Sequence, residues 1–468
     1  MSDSRVILHL GLGSFHRAHQ AVYLQGLHDQ GLDNWSIVGG NIRADMDETI
    51  ELLRRQNCRY TLETVAPDGT RAYQSIESIK SVIPYEKGLT SLIARGAAPE
   101  TTIITFTVTE AGYYLATDDS LDLTSAELQA DIDAARRGDV GGAIGSTIYG
   151  ALTAILRARK QSGAGQVTLL NCDNLRHNGK RSRAGLLEFV QRINDPALTS
   201  WIEQHSTSPN CMVDRITPRP VEEVRQRVLS ATGHDDPAAL MSESFIQWVI
   251  EDNFCAGRPQ WEKVGAELVS DVAPYEEAKI RLLNATHSCI AWAGTLVGYQ
   301  FIHQGVGDAD IRQLAYEYAT NDVIPSLTPS PLDLPAYRDV VLKRFSNPGI
   351  EDSNQRVAAD GFAKMPGFIV PTVADCLAAG RSIDAVAVLP ALFLSFLQRW
   401  HKGQLPYEYQ DQAMDPAVAH EICNADDPVA EFCADHGLWG PLAGDKRLEA
   451  GVRNAAERVG HFLRTRDS

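Results

Sequence analysis

In the first half of the chain, short apolar runs alternate with stretches of helical spacing. Residues 5–10 are apolar and stop at Gly11-Leu12-Gly13, after which 16–30 place Ala21, Tyr23, Leu24 and Leu27 at helical intervals. A second apolar run, 35–38, ends in Gly39-Gly40. Residues 60–65 and 70–76 flank Pro67-Asp68-Gly69, which predicts a hairpin. The β-branched run 101–109 predicts a strand, 146–159 a helix and 167–170 a further strand. This alternation predicts an α/β domain with a largely parallel sheet. Phe245 and Trp248 are read on an apolar helix face, as core.

From about residue 262 the spacing turns helical and strand signals become sparse. Helices are predicted at 275–296, 311–320, 334–345, 383–400 and 446–463, punctuated by Pro325, Pro329, Pro331, Pro348 and Gly367. The expected organisation is an α/β domain over 1–258 and a mostly α-helical domain over 259–468. No repeat or low-complexity tract interrupts it.

Composition narrows the class. A chain of 468 residues has room for two or more domains, and 44% apolar with 22% charged residues is ordinary globular usage. A formal charge of −17 argues against nucleic-acid and anionic-membrane partners. No run approaches the roughly 20 apolar residues of a membrane span; 385–397 carries Pro390 and Ser395 and reads as a buried helix. Residues 1–6 carry Asp3 and lead into no long apolar segment, so no signal peptide is expected. The 8 cysteines form no Cys-x-x-Cys pair and read as reduced thiols of a cytoplasmic protein.

Candidate chemistry begins at the first turn. A strand, then Gly11-x-Gly13, then a helix is the arrangement that binds a dinucleotide pyrophosphate. Gly11 permits the tight turn, Gly13 permits close approach, and the helix N-terminus supplies N–H groups. The third glycine of the usual fingerprint is replaced by His16. His16 and His19 have no accompanying Cys/His group of metal-site spacing, so no metal is expected. After the second strand, Asp45 suits the ribose of NAD, whereas Arg43 suits the 2′-phosphate of NADP. Either cofactor fits this segment.

A second constellation opens the helical half: Lys279, Asn284 and His287. On an α-helix Asn284 lies about 140° and His287 about 80° from Lys279. A lysine whose pKa is lowered by burial or nearby cations can take a hydroxyl proton, and asparagine amides can stabilise the resulting oxygen. A solvated amphipathic helix would show the same residues.

Together these segments resemble the polyol-specific long-chain dehydrogenases, the mannitol dehydrogenase family. The resemblance rests on Gly-Leu-Gly-Ser-Phe-His-Arg-Ala-His at 11–19, Thr-Val-Thr-Glu-Ala-Gly-Tyr at 107–113, Asn-Cys-Asp-Asn at 171–174, Met-Val-Asp-Arg-Ile-Thr-Pro at 212–218 and the Lys279–Asn284–His287 spacing. Further support comes from 40–43, 245–252 and 354–362. It spans nearly the whole chain, in order.

The resemblance implies a Rossmann-type N-terminal domain, a helical C-terminal domain, an active site in the cleft between them, and metal-independent chemistry. It implies Lys279 as general base, Asn174 and Asn284 as the oxyanion pair, His287 as an orienting group and Glu110 as a proton relay. Asp214, Arg356 and Lys364 would contact the substrate. Gly11, Gly13, Ser14, Phe15, Arg17, Asn41, Arg43 and Asp45 would hold the cofactor, NAD with NADP as the alternative. Lys279, Arg356 and Lys364 are expected to form a local cationic cluster that lowers the lysine pKa. The implied reaction is oxidation of D-arabinitol at C4 to D-xylulose, with mannitol 2-oxidation or hexuronate reduction as alternatives. A monomer is expected, with oligomers left open.

Overall fold

The computed structural model describes residues 5–116, 118–140 and 146–466. Residues 1–4, on which the reading of the N-terminus partly rests, lie outside the described residues. The chain divides into two compact units, one running to Ala273 and the other from Pro274 onward, with the hairpin tip Ala66–Thr70 grouped with the second.

Among the described residues the first unit is built on twelve strands: β1 Val6–Leu10, β2 Ser36–Gly40, β3 Tyr60–Val65, β4 Arg71–Ile76, β5 Ile79–Ile83, β6 Thr101–Phe106, β7 Val167–Asn171, β8 Ser206–Thr207, β9 Cys211–Asp214, β10 Leu240–Glu243, β11 Gln247–Glu251 and β12 Glu267–Val269. Six of them form one sheet in the order β5-β2-β1-β6-β7-β8. Every pairing in it is parallel. This is the doubly wound order of dinucleotide-binding folds, in which the strand order reverses between the first and fourth strands of the sheet. Here those strands are β1 and β6, so the switch point falls beside Gly11.

Side chains alternate between the two faces of the sheet with the two-residue period of a strand. Val6, Leu8 and Leu10 join one apolar cluster with Ile104 and Phe106, while Ile7 faces a second with Ile37 and Ile103. Both faces are covered, which is why these strands read as continuous apolar runs. The hairpin predicted around Pro67-Asp68-Gly69 is β3–β4. Trp248 corrects an expectation: it lies on strand β11, not on a helix. It is nonetheless core, fully buried 4.7 Å from Trp261.

The boundary read near residue 258 falls ahead of the observed division. β12 pairs with β11, and the short helix Trp261–Val264 packs on Gln20–Asp29. These contacts keep the chain in the first unit as far as Ala273.

The second unit is helical and holds its own apolar cluster around Trp292, Leu389, Phe393 and Phe396. Leu334–Phe345 coincides with its predicted span, and Val388–His401 and Lys446–Arg464 lie close to theirs. Among the described residues, three segments form π-helical turns: Lys279–Asn284, Tyr318–Val323 and Met365–Ile369. Among the described residues no helix is long and apolar enough to cross a membrane.

Candidate active site

In the first unit the glycine turn is fixed from three sides. Gly11 N–H donates to Gly40 O at 2.9 Å, and Thr107 N–H donates to Leu10 O at 3.0 Å. Leu12 N–H donates to Asn41 Oδ1 at 2.7 Å. Gly11 has φ +91°, and a Cβ there would stand 1.9 Å from Thr107 O. Only glycine fits. At Gly13 the nearest neighbour of a Cβ would be Gly11 O at 4.0 Å. The protein's own packing does not demand that glycine, so the space beside it suits a ligand backbone approaching closely. Asn41 Nδ2 is buried with no partner among the described residues, a donor suited to a ligand oxygen. These features fit a dinucleotide.

The other expected cofactor residues divide. Ser14 and Phe15 open the helix Ser14–Ala18 directly after the turn. Arg17 is committed elsewhere: its guanidinium donates to Ala238 O at 2.7 Å and lies over the Tyr60 ring. Arg43 is held by Glu127 at 3.0 Å and donates to the Tyr114 hydroxyl at 2.6 Å. Asp45 is exposed on the turn Ala44–Met46. His16 stacks on His9 at 3.4 Å, and burial brings His9 down to about 3, so its ring is neutral.

Beside the switch point, Asp173 organises the segments carrying Glu110 and Asn174. Its carboxylate accepts from Val108 N–H at 2.7 Å, Thr109 N–H at 3.2 Å and the Tyr113 hydroxyl at 2.5 Å. Burial raises its pKa, against the pull of these donors. Thr109 has φ +65°, a costly conformation for a β-branched residue. Glu110 follows on an exposed turn, and Asn174 lies exposed in the bend after β7. Asp214 is buried at the end of β9, opposite Gln247.

In the second unit, the helix that opens it is not a plain α-helix. Ala273–Ala278 passes into the π-helical turn Lys279–Asn284 and then into Ala285–Leu296. A π-turn accommodates one extra residue, which sets everything after it back by about 100°. Asn284 then lies about 40° from Lys279 and His287 about 20° on its other side. The two angles expected for an α-helix are thereby corrected: all three residues share one narrow face.

His287 anchors a polar chain on that face. Its ring stacks on Phe345 at 4.3 Å, and Nε2 lies 3.1 Å from Asp352 Oδ2. Asp352 in turn pairs with Arg356 at 2.6 Å. Burial opposes ionisation of Asp352, but His287 and Arg356 together outweigh it and bring the carboxyl to about 2. Burial lowers His287, which Asp352 offsets only in part. Lys364 Nζ donates to Val357 O at 2.7 Å, and burial brings its ammonium down to about 8, with Arg356 adding to the effect.

Of the expected cationic cluster, Arg356 and Lys364 act on one another, and Arg356 is paired with Asp352, a carboxylate that the sequence did not single out. Asp352 sits four residues before Arg356, the spacing of a helical ion pair, and that was its only signal. Asp173 was also missed, although it lies inside the Asn-Cys-Asp-Asn motif. Among the described residues, no three His, Cys, Asp or Glu side chains are grouped to hold a metal.

The mannitol dehydrogenase Rossmann-domain model matches residues 5–263, and the mannitol dehydrogenase C-terminal-domain model matches 271–460. The chain therefore belongs to the mannitol dehydrogenase family. It is 57% identical over 462 residues to D-arabinitol 4-dehydrogenase of Ralstonia nicotianae, covering 98% of this chain and 97% of that one. It is 50% identical over 459 residues to D-arabinitol 4-dehydrogenase of Klebsiella pneumoniae, covering 98% and 99%. Among solved structures, Pseudomonas fluorescens mannitol 2-dehydrogenase in ternary complex with NAD and D-mannitol superposes with a TM-score of 0.84 at 32% identity, covering 99% and 94%. Substrate-free D-sorbitol dehydrogenase gives 0.86 at 32% identity, covering 99% and 97%.

Proposed function

We propose that the protein oxidises D-arabinitol at C4 to D-xylulose with NAD, reversibly and without a metal. The observation that carries the chemistry is the π-turn that gathers Lys279, Asn284 and His287 on one face. The choice of polyol draws on the two D-arabinitol 4-dehydrogenases that share half or more of its residues.

Gly11, Gly13, Ser14, Phe15 and Asn41 hold the dinucleotide, whose nicotinamide supplies the hydride acceptor when bound. Lys279 takes the C4 hydroxyl proton as the carbon loses its hydride, and returns that proton to the ketone oxygen in the reverse direction. Asn174 and Asn284 donate to the oxygen while it carries charge. His287 orients a neighbouring hydroxyl, backed by Asp352. Asp214, Arg356 and Lys364 hold the remaining hydroxyls, and Glu110 relays the proton from Lys279 to water. Asp45 receives the adenosine ribose. The commitment of Arg43 to Glu127 and Tyr114 favours NAD over the 2′-phosphate of NADP.

The test is a polyol panel with both cofactors, followed by nicotinamide absorbance before and after dialysis against a chelator. D-Arabinitol with NAD is expected to be the fastest pair, unchanged by the chelator. Equal indifference to every polyol overturns the reading, and loss of activity on chelation overturns its metal-free mechanism.

A further inference from the structure

The π-turn has a cost in its own hydrogen bonding. Ala285 N–H reaches five residues back to Ile280 O. From Ala285 onward the helix is α again, with four-residue spacing. The change from five to four skips one acceptor, the carbonyl of Arg281. A buried carbonyl without a partner is costly, so such a turn persists only where something else supplies the donor.

The donor is Tyr318. Its hydroxyl donates to Arg281 O at 2.9 Å, and the whole side chain is buried. Tyr318 opens the second π-turn, Tyr318–Val323, which packs directly against Lys279–Asn284. The third, Met365–Ile369, packs there too. Arg281 itself is buried, and its side chain reaches away to Thr372 Oγ1 at 2.9 Å and Asp375 at 2.6 Å. The back of the turn is thus fastened to Tyr318 through its main chain and to Thr372 and Asp375 through its side chain.

We infer that Tyr318 is a positioning residue for the catalytic helix, holding Lys279–Asn284 in the π form that places Lys279, Asn284 and His287 on one face. It acts through the main chain of Arg281. Without its hydroxyl the turn loses the donor that compensates the skipped carbonyl. Relaxation toward α spacing would then rotate Lys279 away from Asn284 and His287 by about one residue, roughly 100°. The inference rests on the reading of Lys279 as the base.

Tyr318→Phe removes only the hydroxyl and keeps the ring that fills the core. The variant is compared with the wild type and with Lys279→Ala in D-arabinitol oxidation, alongside melting temperature and NAD affinity. Tyr318→Phe is expected to lower kcat about tenfold or more and to shift the acid limb of the pH profile of kcat/KM by about half a unit or more. NAD affinity should stay within about twofold. Its crystal structure is expected to show the bond from Ala285 to Ile280 lost and Lys279 displaced.

Outcomes separate the two ideas. If Lys279→Ala is inactive while Tyr318→Phe keeps the wild-type pH limb and kcat, the positioning role is overturned and the base reading stands. A lower melting temperature with unchanged kinetics, or a variant structure that keeps the π-turn, also overturns the positioning role. If Lys279→Ala keeps near-normal turnover, the base reading and this inference both fall.

Discussion

Asp173 Oδ1 accepts the backbone N–H of Thr109 at 3.2 Å, at a residue whose φ is +65°. One half-buried carboxylate thus holds a strained β-branched residue immediately before Glu110, while Asp173 itself immediately precedes Asn174. The backbone cost at Thr109, of order 1–3 kcal/mol, persists only because its surroundings enforce it. Asp173→Ala should therefore release the loop and misplace both neighbours. Misplacement by about 1 Å is expected to lower kcat between about 10- and 100-fold. Steady-state kinetics with D-arabinitol check this, and an unchanged kcat would show that the loop holds itself.

The two glycines of the turn should respond differently. Gly11→Ala places a Cβ against Thr107 O and demands a positive φ, so it should destabilise the free protein. Gly13→Ala meets only Gly11 O at 4.0 Å, at a backbone φ of −94° that alanine adopts freely. Its melting temperature without cofactor should match the wild type, while its NAD affinity falls about tenfold or more. Calorimetry and NAD titration distinguish the two. Undiminished NAD binding by Gly13→Ala would place the dinucleotide elsewhere.

Lys364 carries a pH prediction. Burial lowers its ammonium to about 8, below the value of an unfolded lysine. A depressed folded pKa means that protonation penalises the fold. The penalty is fully present below pH 8 and is relieved as pH rises from there toward the unfolded value. In its proposed role as a substrate contact, Lys364 would lose its charge over the same rise. KM for D-arabinitol should increase above about pH 8, and Lys364→Met should abolish that inflection while raising KM throughout. A pH-independent KM in the wild type would remove Lys364 from the polyol site.

Much of the fold was legible from spacing. The apolar runs that stop at Gly11 and Gly39 are β1 and β2, and Pro67-Asp68-Gly69 is the hairpin turn, because these signals are local. The helix Leu334–Phe345 was equally plain. Trp248 misled because a short apolar run bounded by polar residues fits strand and helix alike, and only pairing with β9 and β12 decides it. The boundary was read early because β12 is only three residues long and its partner, β11, lies before the boundary.

The proposed site stood out by residue type, but its geometry did not. Lys279, Asn284 and His287 stood out by type, yet α spacing spreads them over a broad arc. What narrows the arc is the π-turn, and its support comes from Tyr318, 37 residues later. Nothing in the segment 274–287 announces that partner. Asp352 was hidden for the same reason: its link to His287 spans loops and helices, and only the fold brings the pair to 3.1 Å.

The proposed oxidation of D-arabinitol at C4 with NAD is tested most directly by the identity of the ketose formed. The protein is incubated with D-arabinitol and NAD, and the product is resolved by chromatography against ketopentose standards. D-Xylulose, formed one for one with NADH, is the predicted result. D-Ribulose would place the reaction at C2, and no ketose at all would contradict the account.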